Sequence, residues 1–357
     1  MPSLDDTKII QKLDKNNILG SIELLKKQCQ QAWHETKKIK IPQSYRSVKN
    51  VVINGMGGSG IGGHIIQSLY FDKLKVPLGI IHSYSLPACV NKDTLYIVSS
   101  YSGTTEEPLN TLQEAKKRGA KILAITTGKK LGELALKYKI PSYIFRPLYN
   151  TANEPRMGLG YSIFGQLGLL SKCQLIKIKE SEIKAVANLL KNCNKKFGVL
   201  TEQKDNLAKK LARDLKNKII AIVGAEFLGG NVHVLANQIN ENSKNFSTYF
   251  LIPELNHHLL EGLSFPVGAK NYLRFLFIES MLYFEKNQER FAITQKVLKR
   301  NKVEFYKWQT SAKSELLQSF ETLSFGSYLS FYLAVLNQVN PAKIPWVDYF
   351  KRELAKK

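Results

Sequence analysis

The sequence predicts an α/β protein built from two doubly wound parallel sheets in tandem. Three observations support this prediction. Short apolar runs typical of strands alternate with helical segments, which indicates strands buried on both faces, as in a parallel sheet. A strand, a glycine-bearing turn and a helix occur at residues 50–63 and again at 218–230. The length of 357 residues also fits two domains better than one.

The first 44 residues are predicted to form helices that precede the first sheet. Apolar residues recur there at helical spacing, namely Ile22, Leu24, Leu25, Cys29 and Trp33. A first α/β domain is then expected over residues 45–150. Its predicted strands span residues 50–54, 78–82, 94–99 and 121–126. A helix is predicted over 105–118, because its acidic residues come early and its basic residues late, in agreement with the helix dipole.

After Pro147 the pattern changes to Lys- and Leu-rich helical segments, and residues 151–194 are predicted to connect the two domains. The second domain is expected over residues 195–335. Its predicted strands span residues 218–223, 246–251, 272–278 and 303–306. Residues 336–357 are expected to form a C-terminal tail that folds back, because Trp346 and Tyr349 need cover.

Composition limits the function classes. The net charge of +23 fits either a nucleic-acid-binding protein or an attraction for anionic substrates. The lysines are spread along the chain without a basic platform interleaved with aromatic residues, so no nucleic-acid partner is expected. The cysteines form no Cys-x-x-Cys pair and are interpreted as reduced thiols. With neither a signal peptide nor a membrane-length apolar run, a soluble, cytoplasmic protein is expected.

The first turn reads Gly-Met-Gly-Gly-Ser-Gly-Ile-Gly-Gly over residues 55–63. Glycines after a strand let the backbone approach an anion, and the following helix presents free N–H groups. The same run partly matches a dinucleotide-binding fingerprint. This motif alone leaves both interpretations open.

A second turn, over residues 99–107, is rich in hydroxyl groups: Ser-Ser-Tyr-Ser-Gly-Thr-Thr-Glu-Glu. Several hydroxyl and N–H groups at the start of a helix suit the oxygens of a phosphate monoester. The alternative is a simple N-cap, since Ser and Thr are preferred there. A cap needs one hydroxyl group, whereas this turn has at least four, which favours a phosphate site.

This second turn resembles the phosphate loop of sugar isomerase (SIS) domains, and the whole chain resembles the bifunctional phosphoglucose/phosphomannose isomerase family. The matching stretches follow the family's order and span nearly the whole chain. They are residues 55–60, 100–107, 153–156, 238–244, 253–257, 332–341 and 347–351.

The resemblance implies a role for each matched residue. The phosphate would bind to Ser100, Ser102 and Thr105, with Ser59 and the backbone of Gly57 and Gly58 close to the substrate. Arg156 resembles the arginine that stabilises the enediolate, and Glu241 the base that moves a proton between C1 and C2. His257 resembles the residue that opens the sugar ring, and Lys351 the lysine near the substrate hydroxyls. The resemblance also implies a homodimer in which His257 reaches the partner's site.

The chemistry of such an isomerisation requires the same residue types: a carboxylate base, a cation at the enediolate and a histidine that exchanges protons. No cofactor and no metal are expected. Structural alternatives remain for each residue. Glu241 could be a solvated helix residue, His257 and His258 a core pair or zinc ligands, Arg156 a partner of Glu154, and Lys351 a residue that favours a helix C-terminus. The chain departs from the family's usual pattern at residues 234–237, 258 and 327.

The expected reaction is the interconversion of fructose 6-phosphate with glucose 6-phosphate and mannose 6-phosphate through a cis-enediol. Two other functions are considered. A non-catalytic sugar-phosphate regulator normally needs a DNA-binding domain, and no separate basic domain precedes the first strand. An amidotransferase-type isomerase would need an N-terminal glutaminase nucleophile, which the sequence does not show.

Overall fold

The computed structural model describes residues 2–356, which form two parallel sheets enclosed by helices. The strands are β1 Asn50–Asn54, β2 Leu78–Ile81, β3 Thr94–Ser100, β4 Lys121–Thr126, β5 Ser142–Ile144, β6 Ile219–Ala225, β7 Ser247–Ile252, β8 Leu273–Glu279 and β9 Phe305–Gln309.

The helices are α1 Thr7–Leu13, α2 Ile18–Glu23, α3 Leu25–Lys37, α4 Gly58–Leu69, α5 Glu106–Lys117, α6 Lys129–Lys137, α7 Leu159–Lys172, α8 Glu180–Phe197, α9 Leu207–Leu215, α10 Gly229–Gln238, α11 Ala269–Tyr272, α12 Glu285–Arg300, α13 Glu315–Leu336 and α14 Pro345–Leu354. None of the helices within residues 2–356 is long and apolar enough to cross a membrane.

The first sheet has the strand order β2-β1-β3-β4-β5, and all of its pairings are parallel. The four strands predicted in this part of the chain are confirmed, each to within one residue at either end. Strand β5 was not predicted. It has only three residues, of which only Tyr143 is buried, so its sequence carries almost no periodic signal.

The second sheet has the order β7-β6-β8-β9 and is also parallel throughout. All four predicted strands are present, although β9 begins two residues later than expected and ends at Gln309. In both sheets the first strand lies inside the sheet, with its successor on one side and the later strands on the other. The prediction of two doubly wound parallel sheets is therefore confirmed.

The two halves pack through the helices that follow their glycine-bearing turns. A Cβ atom on Gly230 would lie 2.2 Å from the carbonyl oxygen of His64, so α10 approaches α4 backbone to backbone. The Gly230 amide also donates to the Ser68 hydroxyl at 2.8 Å. The start of α10 thus lies beside the later turns of α4. At the other end, the start of α4 contacts the backbone of Arg156, whose side chain bonds to Asn242 just after α10. The two helices therefore run antiparallel.

Helix α14 projects from the rest of the chain with an uncovered apolar face. Trp346 is 81% exposed and Tyr349 is 52% exposed, and none of the residues of α14 is buried. The expectation that the tail folds back to cover these two side chains is therefore wrong within a single chain. The segment before α14 is anchored, because Pro341 and Ala342 are buried, but the helix itself extends beyond the surface that could cover it.

Candidate active site

The strand order of the first sheet creates a crevice at the carboxyl ends of β1 and β3. Strand β2 lies on one side of β1, whereas β3, β4 and β5 follow on the other side. The connections after β1 and β3 therefore leave the sheet on opposite faces, and open α/β sheets bind ligands at such a point. The glycine turn follows β1 and the hydroxyl turn follows β3, so both predicted motifs border this crevice.

The glycine turn depends on backbone conformations and approaches that other residues disfavour. Gly57 has φ +47° and ψ −126° and precedes the first residue of α4. Gly58 lies against the segment before α7, where a Cβ atom would be 2.7 Å from the backbone of Pro155 and Arg156. The turn therefore brings the N-terminus of α4 into contact with Arg156.

The hydroxyl turn is shaped by hydrogen bonds of its own side chains. Ser100 is fully buried, and its Oγ accepts a hydrogen bond from the amide of Gly103 at 3.1 Å and lies 2.8 Å from Oγ1 of Thr105. Ser102 Oγ lies 3.1 Å from Oγ1 of Thr104 nearer the surface. In this structure Ser100 therefore shapes the turn, while Ser102 and Thr105 remain accessible to a ligand.

Several amides of the hydroxyl turn are free. The N–H groups of Ser102, Glu106 and Glu107 have no acceptor within residues 2–356. Thr105 precedes α5 without a side-chain capping bond, so its hydroxyl does not satisfy these donors. The geometry is therefore not that of a simple N-cap. It offers hydroxyl and N–H donors at the positive end of a helix, which suits an anion.

Tyr101, which the sequence reasoning did not single out, connects the three loops of the crevice. Its amide donates to Ser59 Oγ at 2.8 Å, and its hydroxyl accepts from Asn150 Nδ2 at 2.8 Å. A Cβ atom on Gly158 would lie 2.7 Å from the Tyr101 ring, so this ring packs directly against the glycine. Tyrosine is common in protein interiors, and no signal in the sequence distinguishes this one from a core residue.

Arg156 is 97% buried and lies at the centre of the site. Its guanidinium donates through Nε to Asn242 Oδ1 at 3.0 Å and through Nη1 to Glu154 Oε2 at 3.0 Å. Nη2 donates to the carbonyl oxygens of Pro341 and Ala342 at 3.0 and 2.8 Å. Pairing with Glu154, the structural alternative, is thus present, but it accounts for only one of four contacts. The others join Arg156 to Asn242, next to Glu241, and to the start of the tail.

Glu241 follows α10 in a π-helical turn, Ile239–Ser243. Asparagine is a poor helix former, and the two that flank Glu241 both bond outside the regular ladder: Asn240 to the backbone of Ser247 at the start of β7, Asn242 to Arg156 and Ser330. The widened turn places the Glu241 carboxylate 3.9 Å from Nε of Arg156, measured to Oε2. Such turns occur often at functional sites.

The environment of Glu241 favours its neutral form. Burial raises the pKa of the carboxyl group above its usual value, and the nearby Glu154 acts in the same direction, whereas Arg156, Lys351 and Lys244 oppose this shift. A raised pKa suits a general base that works near neutrality. The influence of Lys351 also indicates that this exposed residue of α14 is on the same side of the molecule as Glu241.

Lys244 lies in residues 238–244, one of the stretches that resemble the family, but the resemblance implies no role for it. Its Nζ contacts the carbonyl oxygens of Glu241 at 3.0 Å and Asn340 at 2.9 Å, so it connects the π-helical turn to the start of the tail. Burial lowers the pKa of this amine to about 8, and the charge of Arg156 contributes to the shift.

His257 is separated from the other predicted site residues. Asn240 bonds to both the amide and the carbonyl of Ser247, so Glu241 lies beside the beginning of β7. His257 comes after the end of that strand, in an exposed 3-10 turn. Six residues of strand span roughly 16 Å or more. The structure therefore brings Arg156, Glu241 and the two turns together. It leaves His257 beyond the opposite end of β7.

The zinc alternative for His257 and His258 has no support from the geometry. Within residues 2–356, the side chains of His, Cys, Asp and Glu form no group of three or more that could hold a metal ion.

Comparisons with known proteins bear on the fold and the family of this chain. Residues 44–139 match the SIS domain family, and residues 204–354 match the family described as the bacterial phospho-glucose isomerase C-terminal SIS domain. Among solved structures, a hypothetical protein of Thermus thermophilus has a TM-score of 0.69 at 14% identity, covering 98% of this chain and 94% of that one. A glucose-6-phosphate isomerase-like protein of the same species has a TM-score of 0.61 at 12% identity, covering 99% of each chain. These two likenesses concern the fold alone.

Curated sequences give a more specific result. A bifunctional phosphoglucose/phosphomannose isomerase of Caldicellulosiruptor bescii is 34% identical, over 94% of this chain and 98% of its own length. The protein of the same description from Thermoplasma acidophilum is 29% identical, over 93% of this chain and the whole of its own. The resemblance inferred from the motifs is confirmed: this chain belongs to the bifunctional phosphoglucose/phosphomannose isomerase family.

Proposed function

We propose that the protein is an aldose–ketose isomerase that interconverts fructose 6-phosphate with glucose 6-phosphate and mannose 6-phosphate. The observation that carries this proposal is the pairing of a carboxylate of raised pKa with a buried guanidinium, Glu241 and Arg156, beside an anion-binding turn. Such a pair can remove a proton next to a carbonyl group and stabilise the resulting charge. The relatives named above are described as bifunctional phosphoglucose/phosphomannose isomerases.

The positions of the groups support the following mechanism. The phosphate binds to the hydroxyls of Ser102 and Thr105 and to the free amides at the start of α5. Gly57, Gly58 and Ser59 border the sugar on the other side of the crevice. The phosphate contacts fix the distance from C6 to the reacting carbons, which lie beside Glu241.

Glu241 removes the proton from C2 of the aldose and delivers it to C1, while the hydroxyl proton passes from O2 to O1 of the enediolate, so that the ketose forms. The reverse reaction uses the same group. The cis-enediolate oxygens carry the developing charge. Arg156 has five N–H donors, of which four are engaged, and the remaining one, on Nη1, is available to them. Lys351 contacts the sugar hydroxyls, and its positive charge favours the ionised base.

In the proposed reaction, a second chain supplies the histidine that opens the sugar ring. His257 lies at the far end of β7 from its own Glu241, so it cannot complete its own site. In a two-fold dimer the surface that carries His257 contacts the surface of the partner that carries Glu241. The two-fold symmetry forms the reverse contact at the same time. The uncovered apolar face of α14 supports this assembly, because Trp346 and Tyr349 lack cover within one chain, and the same helix carries Lys351, whose charge acts on Glu241.

The reaction would take place in the cytoplasm, in glycolysis or gluconeogenesis. We also propose domain limits at residues 45–150 and 195–335, with residues 151–194 as the connection. Residues 1–44 and 336–357 flank the two domains.

Coupled assays test the proposed reaction. Fructose 6-phosphate is supplied without added metal, and glucose 6-phosphate and mannose 6-phosphate are measured separately. Both products should form, and neither should form with Glu241→Gln. A protein that binds fructose 6-phosphate but forms neither aldose would contradict the proposal and favour a sugar-phosphate regulator.

A further inference from the structure

Three of the six histidines lie together where the glycine turn of the first sheet faces the second domain. Nε2 of His64 is 2.9 Å from Nε2 of His82. The ring of His64 also lies 4.4 Å from the ring of His233, measured between centroids. Neither the proposed chemistry nor the quoted motifs assign a role to this cluster.

The register of the first sheet places His82 beside the glycine turn. Asn54 pairs with Ile81 at the ends of β1 and β2, so the next residues, Gly55 and His82, are also neighbours. Nδ1 of His82 is 2.7 Å from the carbonyl oxygen of Gly55. Gly55 is buried, and its carbonyl accepts from no backbone amide within residues 2–356. His82 therefore satisfies a buried acceptor that would otherwise be unpaired.

This contact decides the protonation of the neighbouring rings. A carbonyl oxygen can only accept, so Nδ1 of His82 carries a proton. When the His82 ring is neutral, its Nε2 is an acceptor, and His64 donates to it through its own Nε2. Burial, together with His233 and His82, lowers the pKa of His64 to about 4, so His64 is neutral at pH 7 and can take part in this chain.

The same chain of rings extends into the second domain. His233 belongs to α10 and stacks on Tyr249 of β7, with centroids 4.5 Å apart and planes at 17°. Helix α10 continues into the turn that carries Glu241. The rings thus connect the turn at the substrate crevice with the element that positions the base.

We propose that His82, aligned by His64, is a positioning residue for the isomerisation. By holding the Gly55 carbonyl it fixes the backbone of Gly57 and Gly58, which borders the sugar phosphate. The expected effect on KM rests on the proposed function. The expected effect on the backbone of the glycine turn rests only on the hydrogen bond between His82 and Gly55.

Variants at His82 separate this role from general packing. His82→Leu removes the donor and should raise KM for fructose 6-phosphate about tenfold, while kcat changes less than threefold because Glu241 and Arg156 remain in place. His82→Asn keeps an N–H group at the position of Nδ1 and should restore KM to within about threefold of the wild-type value. His82→Gln carries its amide one bond further out and should behave like His82→Leu.

A second readout does not depend on catalysis. Amide hydrogen exchange of the peptide over residues 55–62 should be faster in His82→Leu and His82→Gln than in the wild type, and unchanged in His82→Asn. His34→Leu, an exposed histidine on α3, is the matched control and should change neither exchange nor KM. If His82→Leu does not fold, His64→Leu takes its place with the same expected direction in both measurements.

The outcomes distinguish the two proposals. Unchanged exchange and unchanged KM in His82→Leu would overturn the positioning role, as would equal rescue by Asn and Gln. A wild-type protein without isomerase activity that still shows the exchange pattern would contradict the proposed function and leave the positioning role standing.

Discussion

The Nε atom of Arg156 lies 3.9 Å from Oε2 of Glu241, and the hydrogen bond of that nitrogen goes instead to Asn242 Oδ1, at 3.0 Å. The carboxylate is therefore close to a positive charge without being locked to it by a short hydrogen bond. Burial meanwhile raises its pKa. This arrangement suits the proposed role of Glu241 as the group that accepts a proton from the substrate.

The first prediction concerns the base. Glu241→Gln should reduce kcat on the order of a thousandfold or more, because an amide cannot accept a proton at neutral pH, while fructose 6-phosphate still binds. Steady-state kinetics and titration calorimetry measure the two quantities. Glu289→Gln, an exposed residue of α12, serves as control. Activity within about threefold of the wild type would rule out Glu241 as the base.

The pH dependence of turnover gives a second prediction. The base acts when deprotonated, so activity falls as pH decreases through the pKa of Glu241, which lies above its usual value of 4.5. Glu154 contributes to the raised pKa, so Glu154→Gln should move the acid limb of the kcat profile to lower pH. A limb that stays in place or moves to higher pH would show that this coupling is absent.

A third prediction concerns the phosphate turn. Combining Ser102→Ala with Thr105→Ala should raise KM for fructose 6-phosphate on the order of a hundredfold, because each hydrogen bond to a charged group contributes roughly 1.5–3 kcal/mol. Turnover of unphosphorylated fructose should hardly change, since it does not use these groups. Equal losses with both sugars would indicate misfolding instead of a lost phosphate site.

Subunit mixing tests the shared site. Glu241→Gln and His257→Ala chains should each be nearly inactive alone. A mixed dimer places both substitutions in one site and leaves the other native. Random exchange makes about half of the dimers mixed, so about a quarter of wild-type activity should return. If subunits exchange, shown by a tag on one chain, and activity stays absent, the two residues belong to the same chain's site.

The fifth prediction concerns stability. Gly103 has φ +71°, and a Cβ atom there would be 2.0 Å from the carbonyl oxygen of Gly128. Gly103→Ala should therefore lower the free energy of unfolding by roughly 1–3 kcal/mol or more, measured by urea denaturation. Gly79→Ala is the matched control, because no atom lies within 4 Å of its Cβ position. Similar values for both variants would contradict this account.

Local sequence determined much of this protein. Apolar runs and glycine turns were enough to predict eight of the nine strands, because a buried parallel strand needs a continuous apolar run. The hydroxyl turn was recognisable from its own residues, whereas Arg156 and Glu241 were singled out only because short stretches around them resemble the family. Strand β5 was missed because its pairing with β4, and not its own three residues, makes it a strand.

Only the tertiary structure decided how these parts meet. The roles of Tyr101, Asn242 and Lys244, and the contact of His82 with Gly55, depend on loops far apart in sequence that the strand order brings together. The distance between Glu241 and His257 likewise follows from the length and direction of β7, although only fifteen residues separate them, from 242 to 256. A sequence specifies which groups are available through local patterns, but the relative positions of those groups depend on long-range packing, which no local pattern encodes.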